Sequence, residues 1–154
     1  MKIIIVNQQT KIPISKRATK KLVIKILKIL KKIRGGSSRK GKTKIANWQS
    51  FRGELTIALV DNKAIQELNF KSLGRNYPTD VICFDLSEVD SNIFDIVIST
   101  EKACENSRLF NTSPPQELKL YLIHGLLHLS GFKDNKRKDR EYMQRKALYI
   151  LKRV

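Results

Sequence analysis

Along the chain, apolar and polar residues alternate with two distinct periods. Ile3 to Val6 form a short apolar run that ends at Asn7-Gln8-Gln9, which suits a first strand over about 2–6 and is too short for a signal-peptide core. After Ser15 the period changes. Leu22, Val23, Ile26, Leu27, Ile29, Leu30 and Ile33 recur three and four residues apart with cations between them, predicting an amphipathic helix to about Ile33. Residues 54–60 read as a strand, and Asp61 is placed to cap a helix over 62–72. Residues 81–84 read as a short buried strand and 94–98 as another, the latter leading to Ser99 as an N-cap with Glu101 in the first turn. Ser113-Pro114-Pro115-Gln116 is a strong helix start, with a capping serine, proline at the first helical position and glutamine at the third. That helix should run over 114–129 and stop near Gly131. A last helix over 136–152 would put Met143, Ala147, Ile150 and Leu151 on one face. The order predicts an α+β fold in which a four-stranded sheet, mixed or antiparallel, packs with about five helices. No repeat or second domain is visible, so residues 1–154 read as one domain.

Composition adds a partner class. The net charge is +17, yet the first fifty residues hold 15 Lys or Arg and no Asp or Glu, while 51–130 is net acidic and the tail is basic again. Basicity confined to the two ends suits a polyanion, with nucleic acid first and an anionic membrane surface second. Residues 35–46 lack apolar periodicity and read as a flexible basic loop. Gly36 to Thr43 spells a P-loop pattern but follows no strand, so the setting that pattern needs is missing. No apolar run is long enough to span a bilayer. Cys83 and Cys104 form no CxxC pair and read as thiols in a reducing cytosol rather than a lone disulfide, which makes the expected location cytoplasmic.

The candidate chemistry lies in the helix over 114–129. The chain has two histidines, His124 and His128, one helical turn apart and therefore on one face. Gly131 can take the left-handed conformation that ends a helix and reverses the chain, returning Asp134 to that face. Two imidazoles, a carboxylate and an open position suit catalytic zinc, and equally the facial triad of non-haem iron. A zincin protease needs glutamate directly after the first histidine, where this chain has Gly125, which argues against peptide hydrolysis.

The run His124-Gly125-Leu126-Leu127-His128-Leu129-Ser130-Gly131-Phe132 resembles the motif of the YbeY family, in which His-Gly-x-Leu-His-Leu-x-Gly-Tyr-Asp precedes a third histidine. Leu68-Asn69, Pro78-Thr79-Asp80-Val81 with Phe84, and Asp95-Ile96-x-Ile98-Ser99 resemble its other landmarks in the same order, over about two-thirds of the chain. The resemblance implies one Zn2+ per chain on a central helix, held by His124, His128 and Asp134. It further implies an endoribonuclease that acts with the small ribosomal subunit on the 3′ end of its rRNA precursor and in ribosome quality control. Two departures stand out. The family's third histidine falls on Asp134, and its arginine after Leu-Asn falls on Leu73, leaving Arg75 as the candidate phosphate-holding residue.

Lys133, Lys136, Arg137, Lys138 and Arg140 flank Asp134 and are candidates for guiding RNA to the metal, or simply a solvated start to the last helix. Trp48 and Tyr77 are candidates for base stacking or for packing, and Asp80 for orienting a loop beside the metal. The competing reading from another class is an RNA-binding assembly factor with a structural metal and little or no cleavage. A zinc peptidase is the third.

Overall fold

The computed structural model describes residues 1–34, 53–88 and 91–154. The expected basic loop, the P-loop pattern and Trp48 fall outside them. Among the described residues, four strands and five helices follow in the order β1 (Lys2–Asn7), α1 (Lys16–Arg34), β2 (Glu54–Val60), α2 (Asn62–Leu73), β3 (Val81–Asp85), β4 (Ile93–Ser99), α3 (Thr100–Leu109), α4 (Pro114–Leu129) and α5 (Arg137–Leu151). The strands form one sheet in the order β1-β2-β4-β3, with β1, β2 and β4 parallel and β3 antiparallel to β4. The sheet is therefore mixed.

Successive side chains of a strand point to opposite faces, and the strands sort their apolar residues accordingly. Ile3, Ile5, Leu55, Ile57, Leu59, Phe94, Ile96 and Ile98 face one way into the main core, where Val23, Ile26, Leu27 and Leu30 of α1 meet Leu122, Leu126 and Leu127 of α4 and Met143, Ala147 and Ile150 of α5. Val60 and Ile82, with Ala58, Phe84 and Val97, face the other way onto Ile65 and Leu68 of α2. Each fully buried Leu or Ile contributes about 1.5–3 kcal/mol of transfer free energy, so the larger cluster dominates stability.

The expected short buried strand at 81–84 is corrected. β3 is an edge strand in which Ile82 is buried, Val81, Cys83 and Phe84 are half-buried and Asp85 is exposed, because strand pairing covers one side of it and α2 and α4 shield its faces unevenly. The Cys83 sulfur itself is turned inward against the glycine of α4. The predicted caps are present. Asp61 accepts from Ala64 N at 2.8 Å, Ser99 from Lys102 N at 3.1 Å, and Ser113 with Gln116 forms the capping box.

Candidate metal centre and its supports

Helix α4 lies across the sheet, and Gly125 allows it to come close. A Cβ at that position would stand 2.9 Å from Ile96 Cγ2 and 3.2 Å from Cys83 Sγ, inside the spacing real Cβ atoms keep. The sheet side of α4 therefore rests on β4 and β3 at its glycine. Position 125 has no room for glutamate, which gives the exclusion of a zincin base a steric reason.

The chain reversal after α4 is set by its own hydrogen bonds. Gly131 has φ 83°, Gly131 N donates to His128 O at 2.8 Å, and Phe132 N donates to Leu127 O at 3.1 Å. This is the paired bonding of a Schellman ending, which satisfies the last carbonyls and turns the chain back. Asp134 returns as the spacing predicts, with Oδ2 3.7 Å from His128 Nε2. Metal bonds of about 2.0–2.2 Å at a tetrahedral angle put two ligand atoms about 3.3 Å apart, so this pair is close to the span one ion bridges.

His124 is half-buried on the same face. Burial pushes its imidazole below the usual value, and His128 adds to the fall, against the opposing pull of Asp80 and Asp134. The shift favours the neutral imidazole, the form that ligates. Among the described residues, no three His, Cys, Asp or Glu side chains already stand together as a metal-holding group. The donor set and the His128–Asp134 spacing fit a divalent ion. Closing all three groups on it takes side-chain rotation, for which His128 and Asp134, 35% and 47% exposed, have room.

Asp80 approaches from the sheet. Its Oδ1 accepts from Val81 N at 2.8 Å and Thr79 Oγ1 at 3.0 Å, and its carbonyl accepts from Ser99 N at 2.9 Å. Its charge reaches His124, and with burial, the larger effect, it pushes the Cys83 thiol up to about 12. Cys83 is thereby kept a neutral packing group against Gly125. The loop that delivers Asp80 is tied by Asn69, whose buried amide donates to Tyr77 O at 2.8 Å, while Asn69 O accepts from Gly74 N at the αL cap. The Leu-Asn, Pro-Thr-Asp and Ile-Ser landmarks are therefore parts of one brace behind α4.

Other expected residues are scattered. Arg75 is exposed on the loop after α2 and is not among the charges that act on His124. Lys133, Lys136, Lys138 and Arg140 are exposed around Asp134, and Arg140 Nε donates to Asp134 O at 3.4 Å. Arg137 is engaged by Glu141 at 2.9 Å, which offsets part of its charge toward RNA.

With this geometry in place, comparison with known proteins is decisive. The family profile described as Endoribonuclease YbeY matches residues 4–154. The chain belongs to the YbeY family. The match extends beyond the two-thirds visible from the motifs and takes in α1 and most of β1. Endoribonuclease YbeY of Syntrophus aciditrophicus is 34% identical over 154 residues, covering 95% of this chain and 85% of that protein. Endoribonuclease YbeY of Christiangramia forsetii is 37% identical over 102 residues, covering 66% and 71%. The solution structure of TM1509 from Thermotoga maritima superposes with a TM-score of 0.58 at 28% identity, covering 97% of this chain and 88% of that one.

Two features of this YbeY chain are not anticipated from its sequence. One is the steric need for Gly125, visible only once the sheet is known. The other is the exposed pair Tyr142 and Tyr149, which stand seven residues apart on α5 and carry a signal, the helical repeat, that could have found them.

Proposed function

We propose that this chain is a metal-dependent endoribonuclease that matures the 3′ end of small-subunit rRNA in the cytoplasm and serves ribosome quality control, with His124, His128 and Asp134 holding one Zn2+. The observation that carries the reading is the return of Asp134 to within 3.7 Å of His128 Nε2 on the motif-bearing helix of a YbeY chain. A bound zinc would supply a polarised water or phosphoryl oxygen. The chain's own contributions are separate. Burial favours the neutral form of His124, Asp80 is held by its backbone bonds, and Lys133, Lys136, Lys138 and Arg140, exposed in the segment that carries Asp134, would offer cations to a phosphate there, favouring the extra charge that develops at phosphorus. Among the described residues no helix is long and apolar enough to cross a membrane.

A second reading, an assembly factor with weak or absent cleavage, draws support from Leu73 at the family's arginine position and from Arg75 out on its exposed loop. One experiment separates them. Zinc content is measured together with cleavage of single-stranded and structured RNA, for the wild type and for His124→Ala and His128→Ala. The nuclease reading requires wild-type cleavage, and loss of both zinc and cleavage in each variant. Wild-type zinc and RNA binding without cleavage would establish the assembly factor, and cleavage by zinc-free variants would place the chemistry elsewhere.

A further inference from the structure

The buried side of α5 is Met143, Ala147 and Ile150. A different stripe, at spacings of three, four and seven residues, carries Lys138, Tyr142, Arg145 and Tyr149, and Arg153 in the turn after the helix reaches back to it, donating to Tyr149 O at 2.9 Å. At about 100° per residue the stripe falls within one quarter or so of the helix circumference. Both tyrosines are 43% exposed. Arg145 and Lys146 stand 5.8 and 5.2 Å from the centre of the Tyr142 ring, and Arg153 stands 3.5 Å from that of Tyr149. Tyr142 also stacks on Phe132, with ring centres 6.0 Å apart and planes 20° from parallel. Phe132 sits in the reversal between His128 and Asp134, so the row of rings begins beside the candidate metal centre.

We propose that this face of α5 is a track for single-stranded RNA, with bases stacking on Tyr142 and Tyr149 and the interleaved cations on the phosphates between them. The assignment rests on the endoribonuclease reading and names how the substrate strand leaves that site. Magnitudes favour the exchange. An exposed cation over a ring is worth about 0.5–1 kcal/mol, whereas a base on an aromatic side chain is worth about 1–3 kcal/mol. A base displaces the cation at a net gain, and the cation moves to a phosphate. The tyrosines are about 10.5 Å apart along the axis at 1.5 Å per residue, room for a short run of nucleotides. The strongly cationic α1 contrasts with this. It has no aromatic residue, so it can hold phosphate backbone but offers no ring to an unpaired base.

The test is fluorescence anisotropy of the full chain with a labelled single-stranded oligoribonucleotide and with a duplex of equal length. Excess chelator is present and the probe is checked for intactness on a gel, so binding is read independently of the nuclease assignment. The variant Tyr142→Ala/Tyr149→Ala should lose about tenfold or more in single-strand affinity, while its duplex affinity stays within about twofold. The variant Tyr142→Phe/Tyr149→Phe, which keeps both rings, should bind the single strand like the wild type. Unchanged single-strand affinity in the alanine variant overturns the track, as does an equal loss for both RNAs or an equal loss in the phenylalanine variant. If discrimination depends on the rings but the metal-loaded wild type cuts no RNA, the track stands and the nuclease reading fails.

Discussion

Gly125 and Cys83 show how single residues set the position of the imidazoles. Gly125→Ala would force its Cβ onto the stiff branched carbon of Ile96, which is fully buried and has nowhere to go. Overpacking costs about 1–3 kcal/mol, and the better helix propensity of alanine returns up to about 1 kcal/mol. The variant should lose up to about 2 kcal/mol in denaturant unfolding, instead of gaining the roughly 1 kcal/mol that alanine gives in an open helix, and fall in RNA cleavage, since α4 must lift away from the sheet. A gain of about 1 kcal/mol, the full propensity benefit, would mean the helix was never held that close. Cys83 supplies a pH signature. Its thiol is raised from 9.0 to about 12 by burial and then by Asp80, so between those values the unfolded chain loses a proton that the folded chain keeps. Stability from this group is complete below about pH 9 and declines as pH rises toward 12. Alkylation of Cys83 at about pH 9 should accordingly be far slower in the native protein than in denaturant. Equal rates would show that the thiol is neither buried nor held neutral.

Among the elements, α1 joins two functions in one helix. Val23, Ile26, Leu27 and Leu30 are at most 1% exposed in the main core, and Leu22, Ile24, Ile29 and Ile33 pack partly against it, so most of the apolar stripe that an interfacial helix would insert into lipid is already used. What remains outside is charge, including Lys20, Lys21, Lys25 and Lys28, all exposed. Changing these four to glutamine should leave the fold intact. The slope of log affinity against log salt for duplex RNA should become shallower by about 2–4, since each phosphate left without its cation removes about 0.9 from the slope. A slope equal to the wild type would assign duplex binding to another surface.

At the scale of the whole molecule, the candidate ligands come from two places, α4 and the turn that leads to α5. An ion held by His124, His128 and Asp134 would therefore clamp the α4–α5 corner and stabilise the folded state by mass action. At about a hundredfold excess over its dissociation constant this is about 2.7 kcal/mol, or a rise in Tm of about 5–10 °C for a chain of this size. Thermal unfolding with zinc and with chelator should show that difference, and His128→Ala should abolish it. No shift in the wild type would remove the metal from the site.

The elements, their caps and the His-x3-His-x2-Gly-x2-Asp spacing were all legible in the sequence, because helix and strand periods and turn chemistry are local properties of the chain. Gly131 alone foretold the reversal that returns Asp134, since few residues tolerate a φ of 83°. The three-dimensional packing decided the rest. Only the sheet order made β3 a half-covered edge, joined Asn69, Asp80 and Ser99 into one brace, and left Arg75 out on its loop. Only the approach of α4 to Ile96 explains why residue 125 has no side chain. Those facts depend on neighbours that are distant in the chain, and no local pattern encodes a distance across the core.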